Sequence, residues 1–152
     1  VAPGPVRAVG CVVQARTRMP SDEQLESAKS VMAQPAPEGV DFTLDRVEAR
    51  RHIRTVSIGP EIPMEISAIT AGEVALVGIP AELFSELGRD IKSRSPFEHT
   101  AIVTMAGPSV GYIGTRRNYE EGGYEMTSSV VVPGTGEQLA DAAVQLLKKA
   151  RR

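Results

Sequence analysis

Three features of the sequence predict an α/β fold: a mixed β-sheet with a β-α-β crossover and flanking helices. First, an apolar run over 73–79 leads into a helix with one apolar face, and a second apolar run follows over 100–106. Second, Gly59-Pro60 and Ala71-Gly72 punctuate β-branched stretches ahead of that unit. Third, the segment 136–149 is amphipathic at helical spacing and closes the chain.

The elements follow in order. Residues 6–16 have the β-branched content of a strand. Ser21-Asp22-Glu23-Gln24 matches a capping box, and Leu25, Ala28 and Val31 continue at helical spacing to about Met32. Gln34-Pro35-Ala36-Pro37-Glu38-Gly39 reads as a loop by its breakers. Thr43 caps a second helix through roughly Arg51, and residues 53–58 and 62–70 read as strands. The run 73–79 is apolar at nearly every position, as in a strand buried on both faces. Pro80 then opens a helix to about Arg94, with Leu83, Leu87 and Ile91 on one face. The stretch 107–124 is Gly-rich and irregular, the kind of long loop that carries function. Residues 125–132 read as a last strand.

Composition narrows the classes of function. The 152 residues suffice for one domain with a hydrophobic core, and 4% aromatic content without Trp makes that core aliphatic. A net charge of −2 and a pI near 5.8 leave no electrostatic footprint for nucleic acid. No apolar run reaches the length of a transmembrane segment. Cys11 is the single cysteine, which rules out an internal disulfide and leaves the compartment open.

Several side chains carry potential chemistry. Gly107-Pro108-Ser109-Val110-Gly111 matches Gly-x-Ser-x-Gly after a strand, the pattern of a serine esterase elbow. That elbow needs a helix directly after Ser109 and a later His; this chain has neither, since His52 and His99 both come earlier. The two histidines also lack metal-ligand spacing, which favours surface or capping roles. Glu82 is better placed. It lies at the carboxyl end of the buried strand, where open α/β sheets hold ligands, although the first turn of a helix also attracts carboxylates for electrostatic reasons alone.

A set of short motifs recurs in order: Gly78-Ile79-Pro80-Ala81-Glu82-Leu83-Phe84, Leu87-Gly88, Lys92-Ser93-Arg94-Ser95-Pro96-Phe97, Gly111-Tyr112-Ile113 and Tyr119-Glu120-Glu121-Gly122-Gly123-Tyr124-Glu125. With Pro133-Gly134-Thr135-Gly136-Glu137 before the last helix, this set resembles the neutral/alkaline non-lysosomal ceramidase family, in its short bacterial form. The resemblance runs from about residue 20 to the end. It implies a zinc-dependent amidohydrolase that cleaves the N-acyl amide bond of ceramide-like lipids, a step of sphingolipid metabolism. It also implies that residues 1–152 are a single domain, the C-terminal half of a larger catalytic region.

On that resemblance, Glu82 corresponds to a zinc-ligating glutamate and Tyr112 to a tyrosine that also reaches the zinc. Tyr124 corresponds to a second tyrosine lining the reaction centre, and Arg116 is a candidate for steadying negative charge on the substrate. The zinc-binding histidines of the family lie in an upstream portion of the enzyme that this chain does not include. Two departures flank Tyr112: Ala106-Gly107-Pro108-Ser109-Val110 replaces an Ala-Asn-containing loop, and Gly114 falls where the family usually has Tyr-x-Pro-Thr. The alternatives are a serine esterase using Ser109 and a non-catalytic partner domain.

Overall fold

The computed structural model describes residues 4–36 and 43–152. Of the expected loop 34–39, Gln34 to Ala36 are non-helical, and Pro37 to Gly39 lie outside the described residues.

Four strands make the main sheet in the order β1-β2-β3-β5. Strands β1 (Val6–Arg16) and β2 (Glu61–Ala71) run antiparallel along their whole length, from Val6 opposite Ala71 to Arg16 opposite Glu61. Strand β3 (Val74–Ile79) folds back on β2 through the Ala71-Gly72 turn, where Gly72 takes a φ of 56°. Strand β5 (His99–Thr104) lies parallel to β3, with Val77 opposite Ile102. The expected crossover is therefore present, and the sheet is mixed.

Alternation decides which face is covered. Met64, Ile66 and Ala68 point inward with Ala75, Val77 and Ile79, and all six are buried. Helix α6 (Thr135–Arg151) packs on this face through Leu139, Ala143, Val144 and Leu147, with α3 (Ser85–Arg94) beside it through Leu87 and Ile91. The helix ends on Lys148, Lys149 and Arg151, cations that suit its carbonyl terminus, and Arg7 also donates to the Ala150 carbonyl (3.2 Å). The opposite face of the sheet is open, with Val12, Ile69, Leu76 and Val103 exposed. The expectation that β3 is buried on both faces is corrected on that side.

Three further expectations are corrected. Residues 53–58 are not a strand but the last turns of α2 (Leu44–Ile58). Arg51, His52 and Thr55 occupy the buried side of that helix, so polar residues hide its period; the Thr55 hydroxyl is satisfied inside the helix by the Arg51 carbonyl at 2.8 Å. Residues 125–132 are not one strand. Gly122 and Gly123, both at positive φ, turn the chain into the short helix α5 (Tyr124–Ser128), and only a single bridge, Thr17 with Val131, follows. Finally, the helix after Pro80 starts at Ser85. Residues between Pro80 and Phe84 are drawn out instead by tertiary pairing, described next. The expected capping box of α1 (Asp22–Ala33) forms as read, with Ser21 accepting from Gln24 N–H at 3.2 Å.

Candidate active site

The site rests on a second, two-stranded sheet. Strands β4 (Glu82–Leu83) and β6 (Tyr112–Ile113) run parallel, with Glu82 opposite Tyr112. The ladder begins before them and ends after them: Val110 N–H donates to the Pro80 carbonyl (3.1 Å), Glu82 N–H to Gly111 (2.9 Å) and Phe84 N–H to Ile113 (3.0 Å). These bonds hold 80–84 extended against its local tendency to open a helix. Glu82 is thus a strand residue, and helix-dipole complementation is not its role.

Directly paired residues in a parallel ladder put their side chains on the same face. The Glu82 carboxylate accordingly stands beside the Tyr112 hydroxyl, and its hydrogen-bonding influence and negative charge push the phenol above its ordinary pKa. Tyr124 closes the group from α5: its ring meets that of Tyr112 edge-on, 6.1 Å between centroids and 73° between planes. Glu82, Tyr112 and Tyr124 therefore stand together, and Gly122-Gly123 supplies the turn that brings the last of them in.

Arg116 is placed differently. It opens α4 (Arg116–Glu121), its N–H bonds Glu137 at 2.8 Å and its guanidinium lies over Gly134, donating to the Pro133 carbonyl at 3.4 Å. These contacts fasten α4 to the start of α6 rather than to Glu82, Tyr112 or Tyr124. Helix α4 was hidden in the sequence because its capping box uses Asn118 at the third position, where Glu or Gln is the usual signal.

Ser109 sits in a turn before β6, its hydroxyl accepting from the Gly111 N–H at 3.3 Å. A strand follows it, not a helix. His52 is buried and bonded to Arg51 (2.7 Å), while His99 is exposed beside Glu98 (3.7 Å). Ser109, His52 and His99 thus pair with Gly111, Arg51 and Glu98 rather than with one another.

Arg50, Arg51 and Arg54 form a basic cluster in the sequence from which no site was expected. Arg50, Arg51 and Arg54 line a cavity of about 270 Å³ together with Val47, Tyr124 and Ser128. Arg54 reaches the backbone ahead of Tyr112, since a Cβ built on Gly111 would lie 3.7 Å from its Nη1.

As a partial metal centre, the donor set is chemically suitable: a carboxylate and a phenol oxygen on one face of one ribbon. Among the described residues, no group of three or more His, Cys, Asp or Glu side chains could hold a metal ion. By donor chemistry Glu82 and Tyr112 could supply two ligands to a metal ion, and not a complete set.

The α/β fold carries an acid-phenol pair at the ends of its strands. Comparison with solved structures makes this specific at the level of fold. The chain superposes on neutral ceramidase from Pseudomonas aeruginosa with a TM-score of 0.59 and 14% identity, over 97% of this chain and 29% of that one. It also superposes on a ceramidase complexed with C2 with a TM-score of 0.53 and 23% identity, over 59% of this chain and 15% of that one. No family model and no curated protein matches the sequence. The chain thus folds like a portion of a ceramidase and spans under a third of the length of these neighbours. No helix among the described residues is long and apolar enough to cross a membrane.

Proposed function

We propose that this chain forms part of the active site of a zinc-dependent hydrolase that cleaves the N-acyl amide bond of ceramide-like lipids. The observation that carries the reading is the in-register pairing of Glu82 with Tyr112, with Tyr124 at its edge. The ceramidase fold of the neighbours supports it. The upstream portion of the same enzyme supplies the histidine ligands.

Glu82 and Tyr112 would hold the ion, Glu82 contributing the negative charge that offsets part of the dication. When bound, zinc supplies a water acidified to a pKa of about 7 and polarises the amide carbonyl. Tyr124, half-exposed beside Tyr112, would donate a hydrogen bond to the oxyanion that develops on the carbonyl. Its edge contact with Tyr112 fixes the ring and limits the reorganisation required.

The test uses the enzyme with its upstream portion present. Glu82→Ala is expected to lose both bound zinc, by metal analysis, and hydrolysis of an N-acyl sphingosine. Retention of zinc and turnover by that variant sinks the proposal. An upstream portion without paired histidines leaves the chain as a binding module instead.

A further inference from the structure

The outer face of the main sheet is exposed, yet its residues are those of a buried face. A sheet with one solvated side alternates apolar inward and polar outward. Here the outward positions of β3 are Val74, Leu76 and Gly78, and those of β5 are His99, Ala101 and Val103. Ala8, Ile69, Leu76 and Ala101 stand side by side across all four strands, and Val6, Ala71 and Val74 form the row beside them. Ile69, Leu76 and Val103 are 51%, 42% and 45% exposed. The polar outward residues Gln14, Arg16, Glu61 and Glu65 gather at one end, where β1 and β2 continue past β3. An apolar patch with such a rim marks an interaction surface. At the border between patch and rim lies a cavity of about 540 Å³, lined by Val12, Pro63, Glu65, Ser67, Pro80 and Pro108. The Glu65 carboxylate has no hydrogen bond or ion pair among the described residues.

We propose that the upstream portion of the same enzyme packs an apolar layer on this face and sets a Lys or Arg side chain into the cavity against Glu65. The length of the neighbouring ceramidases argues for that occupant. This chain spans under a third of them, so in an enzyme of that size most of the polypeptide lies outside the fold described. A sheet with helices on one apolar face and nothing on the other is half of a layered domain, and a second layer completes it. Covering the face takes Glu65 out of water, and a buried carboxylate requires a cation to offset its lost solvation. The three prolines of the cavity wall suit the aliphatic stem of that cation. Pro80 lies two residues ahead of Glu82 and Pro108 precedes Tyr112, so a layer seated here reaches the segments that lead into the acid-phenol ribbon. The proposal rests on the hydrolase reading for the upstream portion, and on none of its metal chemistry.

The experiment compares hydroxyl-radical labelling of Ile69, Leu76 and Val103, read by mass spectrometry, in the purified chain and in the enzyme with its upstream portion. In the chain all three are expected to label. In the enzyme their labelling is expected to fall to the level of Ile66 and Val77, which are buried in the chain itself. Leu76→Lys should leave the unfolding midpoint of the chain in place, as at an exposed position, and lower that of the enzyme. Glu65→Gln should likewise lower the midpoint of the enzyme alone. Equal labelling in chain and enzyme overturns the docking surface, and so do parental midpoints of the enzyme in both variants. Loss of labelling in the chain by itself, with a dimer in sedimentation, assigns the face to a second copy and overturns the upstream layer. Hydrolysis of an N-acyl sphingosine by the same enzyme separates the two readings. Protection in an inactive enzyme sinks the hydrolase and keeps the docking surface, whereas full labelling in an active enzyme does the reverse.

Discussion

Glu82 and Tyr112 face each other across a parallel ribbon only two residues wide, although a helix, a strand and a loop separate them in the chain. The pairing follows from how β3 and β5 end. Past Ile79 and Thr104 the two segments remain bonded, through Ala106 N–H to the Ile79 carbonyl and Met105 N–H to Ala81, both at 3.0 Å. Met105 and Gly107, at φ of 56° and 94°, then turn the second segment so that it returns beside the first. The geometry of the acid-phenol pair is thus set by backbone hydrogen bonds, which tolerate side-chain change better than a site built from loop contacts.

Packing around α3 predicts opposite outcomes for two glycine substitutions. Gly88 lies inside α3, where a Cβ meets only Ile102 Cγ1 at an ordinary 3.7 Å. Gly88→Ala should stabilise the chain by about 0.5–1 kcal/mol, through lower unfolded-state entropy. At Gly136 a Cβ would lie 2.5 Å from both the Gly114 carbonyl oxygen and Leu87 Cδ1. Gly136→Ala should destabilise by about 1–3 kcal/mol. Denaturant unfolding of both variants decides the matter, and equal midpoints would contradict the packing described.

Acid sensitivity should trace to His52. Burial, and then the adjacent Arg51 charge, hold its pKa below the usual value. The folded chain therefore resists protonation while the unfolded chain accepts it near pH 6.5. Stability contributed by neutral His52 is fully present above that pH and is lost as pH falls towards the depressed folded value. The slope is at most about 1.4 kcal/mol per pH unit for one proton. His52→Gln keeps an acceptor for Arg51 but cannot titrate, so its unfolding midpoint should change less between pH 7 and pH 5. A parallel decline in both proteins would place the acid sensitivity elsewhere.

The legible part of this fold was the part where apolar period and burial coincide. Met64, Ile66 and Ala68 alternate with polar neighbours, and Leu139, Ala143 and Leu147 recur at helical spacing, so the β2 strand and the α6 helix could be read directly. Helix α2 was cut short because Arg51, His52 and Thr55, all polar, fill its buried face, while Ile53 and Val56 are exposed. A period count that equates apolar with buried assigns such a segment to the wrong element. The extension of 80–84 was invisible for another reason: it depends on partners at 110–113, and no local signal announces long-range pairing. Among the candidate site residues, Glu82, Tyr112 and Tyr124 were singled out through family motifs, Glu82 also by its place at a strand end. The α2 arginines showed in the sequence as a basic cluster, with no site read from it.

Zinc retention should separate this chain from the enzyme it resembles. Glu82 and Tyr112 offer two oxygen donors, whereas a catalytic zinc centre usually takes three protein ligands and a water. Metal analysis of the purified, dialysed chain should find well below one zinc per molecule. Stoichiometric zinc that disappears in Glu82→Ala would show that this chain holds a full ligand set of its own.

The sharpest expectation concerns Tyr124. Tyr124 is 43% exposed, and its ring meets that of Tyr112 in an edge-to-face contact. Tyr124→Phe therefore preserves the ring contact, the start of α5 and the Glu82–Tyr112 pair, and removes one oxygen. In the enzyme with its upstream portion, an oxyanion donor lost in this way lowers kcat about a hundredfold while KM and zinc content hold, because the interaction strengthens only in the transition state. Tyr112→Phe should behave otherwise, since it removes the hydroxyl beside Glu82 and with it a candidate metal ligand, so zinc content should fall along with kcat. Steady-state kinetics with metal analysis on both variants distinguishes the two tyrosines. If Tyr124→Phe turns over at the parental rate, its hydroxyl has no part in the reaction and the ring serves only to pack against Tyr112.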